Sequence, residues 1–332
     1  MSKTQKILLS GVKPTGRPHV GNYFGAMKQF VDMQGDYRAF VMLANYHALT
    51  TSHNPAEIRR NTLDLAIDYL AIGLDPAKVI IFRQSDVPEH TELGWIFNCL
   101  ITMPYLARAH AYKDALAKNE EVTVGTFDYP LLMAADILLY DADVVPVGQD
   151  QKQHVEIARD TAEKFNRLFA PVFKLPEPLI MKAVAVVPGL DGQKMSKGYG
   201  NTIPLFATDD EIRRLAMTIK TDSKGVEDAK SPETCNVFAL HKLFSVGGKN
   251  GNQLADLEKR YRQGGKEGIG YKEAKEILAE NMIAYLRPMR ERRAGIAADP
   301  EAVEKVLQNG ATLARDRARQ KMEAVRLAVG VK

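Results

Sequence analysis

The sequence predicts an α/β fold, in which a Rossmann-like parallel-sheet domain is followed by an α-helical C-terminal domain. Short β-branched runs alternate with longer helical patterns through the first two-thirds of the chain, and this alternation is typical of a parallel sheet with helices on both faces. After a glycine-rich stretch at residues 189–201 the pattern becomes almost entirely helical. We therefore expect one domain over residues 1–204 and a second, helical domain over residues 205–332.

Four strands are predicted in the first domain, each from a short apolar run. They are ILLSG at 7–11, AFVML at 39–43, VIIFRQS at 79–85 and DVVPVGQD at 143–150. Helices are predicted over residues 20–34 and 55–70, after Asp128, which can serve as an N-cap, and from about Gln151 onward. Ligands of such sheets bind at the carboxyl ends of the strands, so functional residues are expected there.

Composition narrows the class of protein. Of the 332 residues, 45% are hydrophobic and 26% are charged, which is ordinary for a globular protein and argues against a disordered or fibrous chain. No signal peptide and no apolar run of membrane-spanning length is recognisable, so we expect a soluble, cytoplasmic protein. Cys99 and Cys235 lie far apart in the sequence and outside any metal-ligand spacing, which predicts no structural zinc.

A glycine-rich turn follows the first predicted strand. Residues 11–25 read GVKPTGRPHVGNYFG, and the next helix begins at the segment His19 to Asn22. Backbone N–H groups at a helix start bind phosphate, and glycine lets the backbone approach a nucleotide closely. His19 and Asn22 add side-chain donors that could follow a phosphate oxygen into a transition state. The turn predicts a nucleotide site, although a plain tight turn explains its glycines equally well.

A second glycine-rich segment carries two lysines. Residues 189–201 read GLDGQKMSKGYGN, with Lys194 and Lys197 between glycines. Cations on a flexible loop can close on the charge that develops on departing pyrophosphate. We interpret the segment as a mobile catalytic loop, and a polar surface linker with incidental lysines is the alternative.

Both segments resemble the signatures of a known family. HVGN at 19–22 and KMSK at 194–197 are similar to the two signatures of class I aminoacyl-tRNA synthetases. The longer strings PTGRPHVGNYFGA, YPLLMAADILLY at 129–140 and VPVGQDQKQH at 145–154 resemble the tryptophanyl-tRNA synthetases of that family. The resemblance runs from about residue 7 to the C-terminus. It implies activation of tryptophan by ATP, transfer to a tryptophan-specific tRNA, a homodimer, and Mg²⁺ held mainly by ATP without a protein metal site.

The resemblance also implies an ATP site. It comprises Lys13, Pro14, Thr15, Gly21, Asn22, Gly148, Gln149, Asp150, Val187, Lys194, Met195, Ser196, Lys197 and Gly198. The catalytic roles fall to His19, Asn22, Lys194 and Lys197. Two positions depart from the family pattern: Gly198 replaces a serine, which loosens the backbone, and Asn45 stands where an acidic residue is expected. Asp150 can also be a helix N-cap with no chemistry of its own.

One helix face is predicted to select the amino acid. Tyr129, Met133, Asp136 and Tyr140 recur at helical spacing. A carboxylate on so apolar a helix is costly unless it meets a donor, and an indole ring supplies one N–H donor and no acceptor. The resemblance implies that Asp136 binds the indole N–H, that Tyr129 and Gln151 hold the α-amino group, and that His47 lies near the substrate. The residues alone leave open a buried structural carboxylate paired with an arginine.

The C-terminal region is predicted to bind the tRNA anticodon. Residues 207–332 contain 24 Lys and Arg residues against 19 Asp and Glu residues, and basic faces suit phosphate contacts. The last helix has an apolar stripe at Ala314, Ala318, Met322, Val325 and Val329, with Arg315, Arg317, Arg319, Lys321 and Arg326 beside it. A second basic cluster reads RPMRERR at 287–293. A merely solvated basic face is the alternative.

Three other functions stay open on the sequence. The first is a tyrosine-specific synthetase of the same class, because tyrosine also carries a ring donor. The second is a related nucleotidyltransferase that attaches AMP to a small acid or nucleotide. The third is a paralogue that forms or binds an adenylate, or binds RNA, without charging tRNA. The presence of both Lys194 and Lys197 favours an active enzyme.

Overall fold

The computed structural model describes residues 5–117, 122–148, 152–180, 186–245 and 251–332. The chain divides into two compact units. The first contains the described residues of Met1–Gly16, Phe30–Lys182 and Ile296–Lys332, and the second contains those of Arg17–Gln29 and Ala183–Gly295. This division differs from a single boundary at residue 204, because each unit is assembled from segments that are distant in the sequence.

A five-stranded parallel sheet forms the centre of the first unit, in the order β3-β2-β1-β4-β5. The strands are β1 Ile7–Val12, β2 Arg38–Leu43, β3 Val79–Arg83, β4 Val144–Val147 and β5 Glu177–Ile180. The four predicted strands are therefore confirmed, with the fourth ending at Val147. The fifth strand was not predicted, since a proline interrupts its short sequence, and Pro178 is tolerated because β5 lies at a sheet edge.

The inner strands are buried along most of their length. All of β2 after Arg38 is buried, and Leu8, Leu9, Ile81 and Phe82 are at most 2% exposed. Because successive side chains point to opposite faces of a sheet, burial of neighbours in sequence means that helices or other apolar groups cover both faces. The predicted α/β class is confirmed.

Fourteen α-helices lie among the described residues. They are α1 Val20–Asn22, α2 Lys28–Met33, α3 Asn45–Ala48, α4 Pro55–Ile72, α5 Glu89–Asn98, α6 Met103–Leu106, α7 His110–Ala117, α8 Val124–Leu138, α9 Lys152–Leu168, α10 Asp209–Thr218, α11 Asn236–Phe244, α12 Gly251–Gln263, α13 Tyr271–Ala297 and α14 Pro300–Val329. A π-helical turn, Tyr23–Met27, joins α1 to α2, so the predicted helix over 20–34 is a continuous helical segment. In the described part of the chain no helix has the length and apolarity needed to cross a bilayer.

Helix α8 begins earlier than predicted. Its N-cap is Thr123, whose hydroxyl accepts a hydrogen bond from the Thr126 backbone N–H at 3.2 Å. The prediction that Asp128 caps this helix is wrong, because Asp128 lies inside the helix and accepts a hydrogen bond from Asn98 at 3.1 Å. The cap at Thr123, five residues before Asp128, adds more than one turn before Tyr129, so Tyr129 is held in the helix interior.

The last helix, α14, packs on the sheet of the first unit. Its predicted apolar face is confirmed for Ala314, Ala318, Met322 and Val325, which are fully buried. Gly310 makes the closest approach, because a Cβ atom at this position would lie 1.9 Å from the carbonyl oxygen of Ile81 in β3. The helix therefore belongs to the core of the first unit.

Candidate functional site

The two sequence signatures meet inside the second unit. The backbone N–H of Gly21, in α1, points to the sulfur of Met195 at 3.3 Å. A Cβ atom on Gly21 would lie 3.2 Å from Met195 Cβ and 2.9 Å from His19 Nδ1, so only glycine fits without a shift of its neighbours. Segments separated by more than 170 residues of sequence are thus held in direct contact, as the nucleotide-site prediction requires.

His19 and Asn22 close a reciprocal cap at the start of α1. The Asn22 backbone N–H donates to His19 Nδ1 at 3.2 Å, and the His19 backbone N–H donates to Asn22 Oδ1 at 3.1 Å. Burial and, to a smaller extent, the charge of Lys197 lower the pKa of His19 to about 4. The ring is therefore neutral near pH 7, and since Nδ1 accepts, its proton lies on Nε2. His19 Nε2 and the Asn22 amide nitrogen remain the two side-chain donors of this segment.

The lysine loop is folded around Asn201, which is 3% exposed. Its side chain accepts from the Ser196 backbone N–H at 2.8 Å and donates to Asp191 at 2.7 Å and to the Lys194 carbonyl oxygen at 3.1 Å. Met195 also donates its backbone N–H to the Val187 carbonyl oxygen at 2.9 Å. Lys194 and Lys197 have exposed side chains, so the loop buries Met195 and presents both lysines to solvent.

Position 198, where the family has serine, is an exposed glycine. Its backbone N–H donates to Ser196 Oγ at 3.3 Å, within the short 3₁₀ turn Lys197–Tyr199. The hydroxyl of Ser196 thus caps this turn from its N-cap position.

The predicted ATP residues of the first unit lie at the ends of β1 and β4. Lys13 donates from Nζ to Thr50 Oγ1 at 2.9 Å, and burial lowers the pKa of Lys13. Pro14 is buried, whereas Thr15 and Gly148 are exposed. The predicted residues Gln149, Asp150 and Gln151 lie outside the described part of the chain.

Asp136 stands at the centre of a buried polar network in the first unit. Its Oδ2 lies 2.8 Å from His47 Nε2, and its Oδ1 lies 2.8 Å from the donor Gln84 Nε2 and 2.7 Å from His90 Nδ1. His90 Nε2 in turn lies 2.8 Å from the hydroxyl of Tyr140. The alternative of an arginine partner is wrong, because these three contacts come from two histidines and a glutamine.

The network keeps Asp136 ionised. Burial alone would raise the pKa of this carboxyl group, but hydrogen bonds from His47 and His90, with their electrostatic attraction, leave the pKa well below its usual value. The free energy of burying a carboxylate is offset only when such donors surround it. Asp136 is consequently an acceptor-only group at neutral pH.

A cavity of about 360 Å³ lies against this network. Among the residues that line it are His47, Tyr129, Thr50, Trp95 and Asp128. The Tyr129 hydroxyl lies 2.8 Å from His154 Nε2, and the His47 and Tyr129 rings meet edge to face. Asp136 and Met133 do not line the cavity, and Asp136 lies behind His47. Of the predicted amino-acid residues, His47 and Tyr129 therefore line the cavity, and His47 also contacts Asp136.

Asn45, the second departure from the family pattern, has a clear local role. Its side-chain amide donates to Ser85 Oγ at 2.8 Å and its Oδ1 accepts from the Ser85 backbone N–H at 3.0 Å. A carboxylate could accept but not donate, so an amide suits this pair of contacts.

The five basic residues beside the apolar stripe of the last helix are paired with acidic ones. Arg315 and Arg319 lie 3.1 and 3.7 Å from Glu89, Arg317 lies 2.6 Å from Asp141, and Arg326 lies 2.5 Å from Glu92. Lys321 lies 2.5 Å from Asp141. The interpretation of these side chains as a phosphate-binding face is therefore not supported, because they form ion pairs between α14 and other elements of the first unit.

In the cluster at 287–293, two arginines are also paired. Arg287 contacts Asp209 at 2.8 Å, and Arg290 contacts the same carboxylate. Arg293 lies over the Phe206 ring, 5.3 Å from its centroid. No group of three or more metal-ligand side chains is found in the described ranges, and the prediction that ATP itself holds Mg²⁺ stays a prediction.

Comparison with known proteins gives the relationship directly. Residues 1–287 match the family described as tRNA synthetases class I (W and Y). The tryptophan–tRNA ligase of Fusobacterium nucleatum is 45% identical over 324 residues, covering 97% of each chain, and that of Rhodopirellula baltica is 44% identical over 325 residues, covering 98% of this chain and 99% of the relative.

A solved structure agrees over the same length. The tryptophanyl-tRNA synthetase of Campylobacter jejuni, crystallised with ADP and tryptophan, has a TM-score of 0.91 and 43% identity, covering 98% of this chain and 99% of that one. With the fold, the paired signatures and the family match in agreement, this chain belongs to the class I tRNA synthetases that act on tryptophan and tyrosine.

Proposed function

We propose that this synthetase activates L-tryptophan with ATP and transfers it to a tryptophan-specific tRNA. The observation that carries the choice of amino acid is Asp136, an ionised carboxylate in an apolar helix, next to a cavity lined by His47 and Tyr129. A buried acceptor left unpaired costs about 1–3 kcal/mol or more, so such a pocket favours a ring that carries an N–H. Similarity to a structure crystallised with ADP and tryptophan supports both ligands.

The first step joins the amino acid to AMP. An oxygen of the tryptophan carboxylate attacks the α-phosphorus of ATP, a new P–O bond forms, and the bond to pyrophosphate breaks with its electron pair on the leaving group. His19 and Asn22 donate to the phosphates, while Lys194 and Lys197 approach the charge that develops on pyrophosphate. Mg²⁺ carried by ATP supplies further neutralisation of that charge.

Each residue of the amino-acid pocket binds a different part of tryptophan. Asp136 accepts the indole N–H, Met133 packs against the ring, and Tyr129 with Gln151 holds the α-amino group. Tyr129 is fixed for this role by its contact with the buried His154. The family resemblance assigns the remaining ATP contacts to Lys13, Pro14, Thr15, Gly21, Gly148, Gln149, Asp150, Val187, Met195, Ser196 and Gly198, and we keep that assignment in the proposal.

The tRNA is bound by the region after residue 204, and the enzyme works as a homodimer. The basic side chains of α14 beside its apolar stripe form ion pairs inside the first unit. We therefore assign the anticodon contacts to other basic side chains, within residues 205–295.

The second step transfers the tryptophanyl group from the adenylate to the 3′-terminal adenosine of tRNA, and it releases AMP.

The deciding experiment is amino-acid-dependent exchange of pyrophosphate into ATP, measured with each of the twenty amino acids. We expect exchange with tryptophan to exceed that with every other amino acid, and charging of a tryptophan tRNA to follow. Strong exchange with tyrosine and none with tryptophan would reassign the substrate. Exchange with no amino acid would indicate a non-charging paralogue.

A further inference from the structure

The acceptor positions of Asp136 can be counted. A carboxylate has about four lone-pair positions, two on each oxygen. Gln84 and His90 approach Oδ1, and His47 approaches Oδ2. Counting the described residues only, one position is left, and it is on Oδ2, the oxygen that contacts His47, which is itself a residue of the cavity wall.

His90 is the donor that reaches Asp136 from the interior. Its side chain is fully buried, whereas the His47 side chain is 13% exposed. The contact of Nδ1 with Oδ1 is short, but its angle departs from the straight line of an ideal hydrogen bond, which makes it as much an electrostatic contact as a hydrogen bond. Its strength therefore depends on whether Nδ1 carries a proton.

Tyr140 fixes the position of that proton. Burial raises the pKa of Tyr140 well above its usual value, so its hydroxyl stays protonated and can donate to His90 Nε2 at 2.8 Å. A neutral imidazole that accepts at Nε2 must carry its proton on Nδ1. In this arrangement the Tyr140 O–H donates to His90 Nε2, and the Nδ1–H of His90 faces Asp136 Oδ1 in the short, bent contact described above.

We propose that His90 is a positioning residue for substrate selection: its Nδ1–H occupies Asp136 Oδ1 from the interior, so that the remaining acceptor on Oδ2 is the position offered to the ring N–H of the substrate. This inference rests on the proposed function. It adds His90 and Tyr140 to the determinants of specificity, although neither touches the substrate. A histidine that orients a functional carboxylate in this way acts through the carboxylate, as the outer partners of metal ligands do.

Two variants test the roles of the two ring nitrogens of His90 separately. In His90→Asn the amide nitrogen stands near the position of Nδ1, so a donor to Asp136 is kept and the contact with Tyr140 is lost. In His90→Gln the amide group stands near the position of Nε2, so the contact with Tyr140 is kept and the donor to Asp136 is lost. The variants are similar in polarity and in the number of atoms removed, and each is the control for the other.

The measurement is pyrophosphate exchange with tryptophan and with benzothienylalanine, in which a ring sulfur replaces the N–H. The ratio of the two kcat/KM values reports recognition of the N–H. We expect His90→Gln to lower this ratio about tenfold, as loss of a hydrogen bond to a charged group predicts, and His90→Asn to keep most of it. The KM for ATP should not change in either variant. An unchanged ratio in His90→Gln, or equal loss in both variants, would overturn the proposal.

A second measurement needs no variant. Long-range ¹H–¹⁵N correlation spectra of the intact enzyme distinguish the two tautomers of a histidine ring, and we expect the Nδ1–H form for His90. The Nε2–H form would contradict the proposal even where a variant fails to fold. If the wild-type enzyme showed no tryptophan-dependent exchange, the proposed function would be contradicted instead. The tautomer of His90 is measured without the reaction, so that result can be interpreted independently.

Discussion

At the scale of single residues, the proposed function makes the charge of Asp136 the determinant of which amino acid is accepted. Asp136→Asn places an amide where the carboxylate was. When the amide oxygen keeps the contacts with Gln84 and His90, the amide N–H groups point toward His47 and the substrate. We expect the KM for tryptophan in pyrophosphate exchange to rise about tenfold or more, since a charged hydrogen bond is lost, with little change in the KM for ATP.

A matched control is available for Asp136. Asp68 is equally buried, at 2% exposed, and belongs to the same unit in α4. Asp68→Asn should alter stability without a selective effect on the KM for tryptophan. Equal changes in the KM values for tryptophan and ATP in Asp136→Asn would mean that Asp136 only supports the scaffold.

The contact between the two signatures can be tested at Gly21. In Gly21→Ala the new methyl group would press on His19 Nδ1 and on Met195. Small displacements of catalytic groups can lower rates by about a hundredfold, and we expect a loss of this order in pyrophosphate exchange. Gly25→Ala is the control, because a Cβ atom there meets nothing within 4 Å, and its exchange rate should equal that of the wild type.

The sequence reveals some site residues and not others, for physical reasons. Asp136 is conspicuous because it interrupts an apolar helix, and an unpaired carboxylate there is unfavourable. Its donors His90 and Gln84 carry no such local signal, since they lie about 50 residues away in the sequence. The packing of α5 on α8 brings His90 near, and the 3₁₀ turn that follows β3 carries Gln84. The prediction that Tyr140 lies on the same helix face is wrong, because α8 ends at Leu138, and the contact of Tyr140 with His90 could not be inferred from spacing.

At the scale of elements, the docking of α14 depends on Gly310. Gly310→Ala would drive a methyl group into the backbone of β3, with 1.9 Å between Cβ and the Ile81 oxygen. Overpacking typically costs 1–3 kcal/mol, and a clash with backbone lies at the upper end, so we expect a loss of about 3 kcal/mol in unfolding free energy. Chemical denaturation of the wild type and the variant would measure it.

The control for this substitution is Gly295→Ala. Gly295 also lies inside a helix, α13, but a Cβ atom there meets nothing within 4 Å. The higher helix propensity of alanine should leave stability unchanged or raise it by about 1 kcal/mol. If Gly310→Ala were equally harmless, α14 would not be held closely against β3.

Element prediction succeeded where periodicity is strong and failed where partners are distant. The period of α14 identified its buried face, because a helix that buries one stripe must repeat apolar residues every three or four positions. The same pattern gave no information on the arginines beside the stripe. Their acidic partners, Glu89, Glu92 and Asp141, come from other elements, so a structural ion pair and a phosphate contact look alike in sequence.

At the scale of the whole molecule, a change in sequence pattern located the start of the helical region but not the compact units. The turn segment Arg17–Gln29 belongs to the second unit and the last helix to the first. Composition reports local preference, whereas membership of a unit depends on contacts between segments far apart in the sequence. The fold class and the four predicted strands follow from local patterns, while the strand order, the contact between the signatures and the assembly of segments into units do not.

The stability of the folded chain should also fall in mild acid, partly through His241. This residue is fully buried in α11, its Nε2 donates to the Ala274 carbonyl oxygen at 2.9 Å, and burial lowers its pKa from 6.5 to about 4. Between about pH 4 and pH 6.5 the unfolded chain therefore binds a proton at His241, whereas the folded chain does not. Stability from this residue is present in full above pH 6.5 and is lost as the pH falls from 6.5 toward 4.

The matched variant is His241→Gln, whose amide nitrogen can still donate to the Ala274 carbonyl oxygen but cannot titrate. We expect the unfolding free energies of wild type and variant to run parallel above pH 7. Below pH 6.5 the wild type should lose up to about 3 kcal/mol relative to the variant by pH 4, since each pKa unit corresponds to about 1.4 kcal/mol. Urea unfolding at a series of pH values would measure this difference. Parallel curves over the whole range would mean that His241 is protonated in the folded chain, and that its buried ring finds a proton acceptor in addition to Ala274.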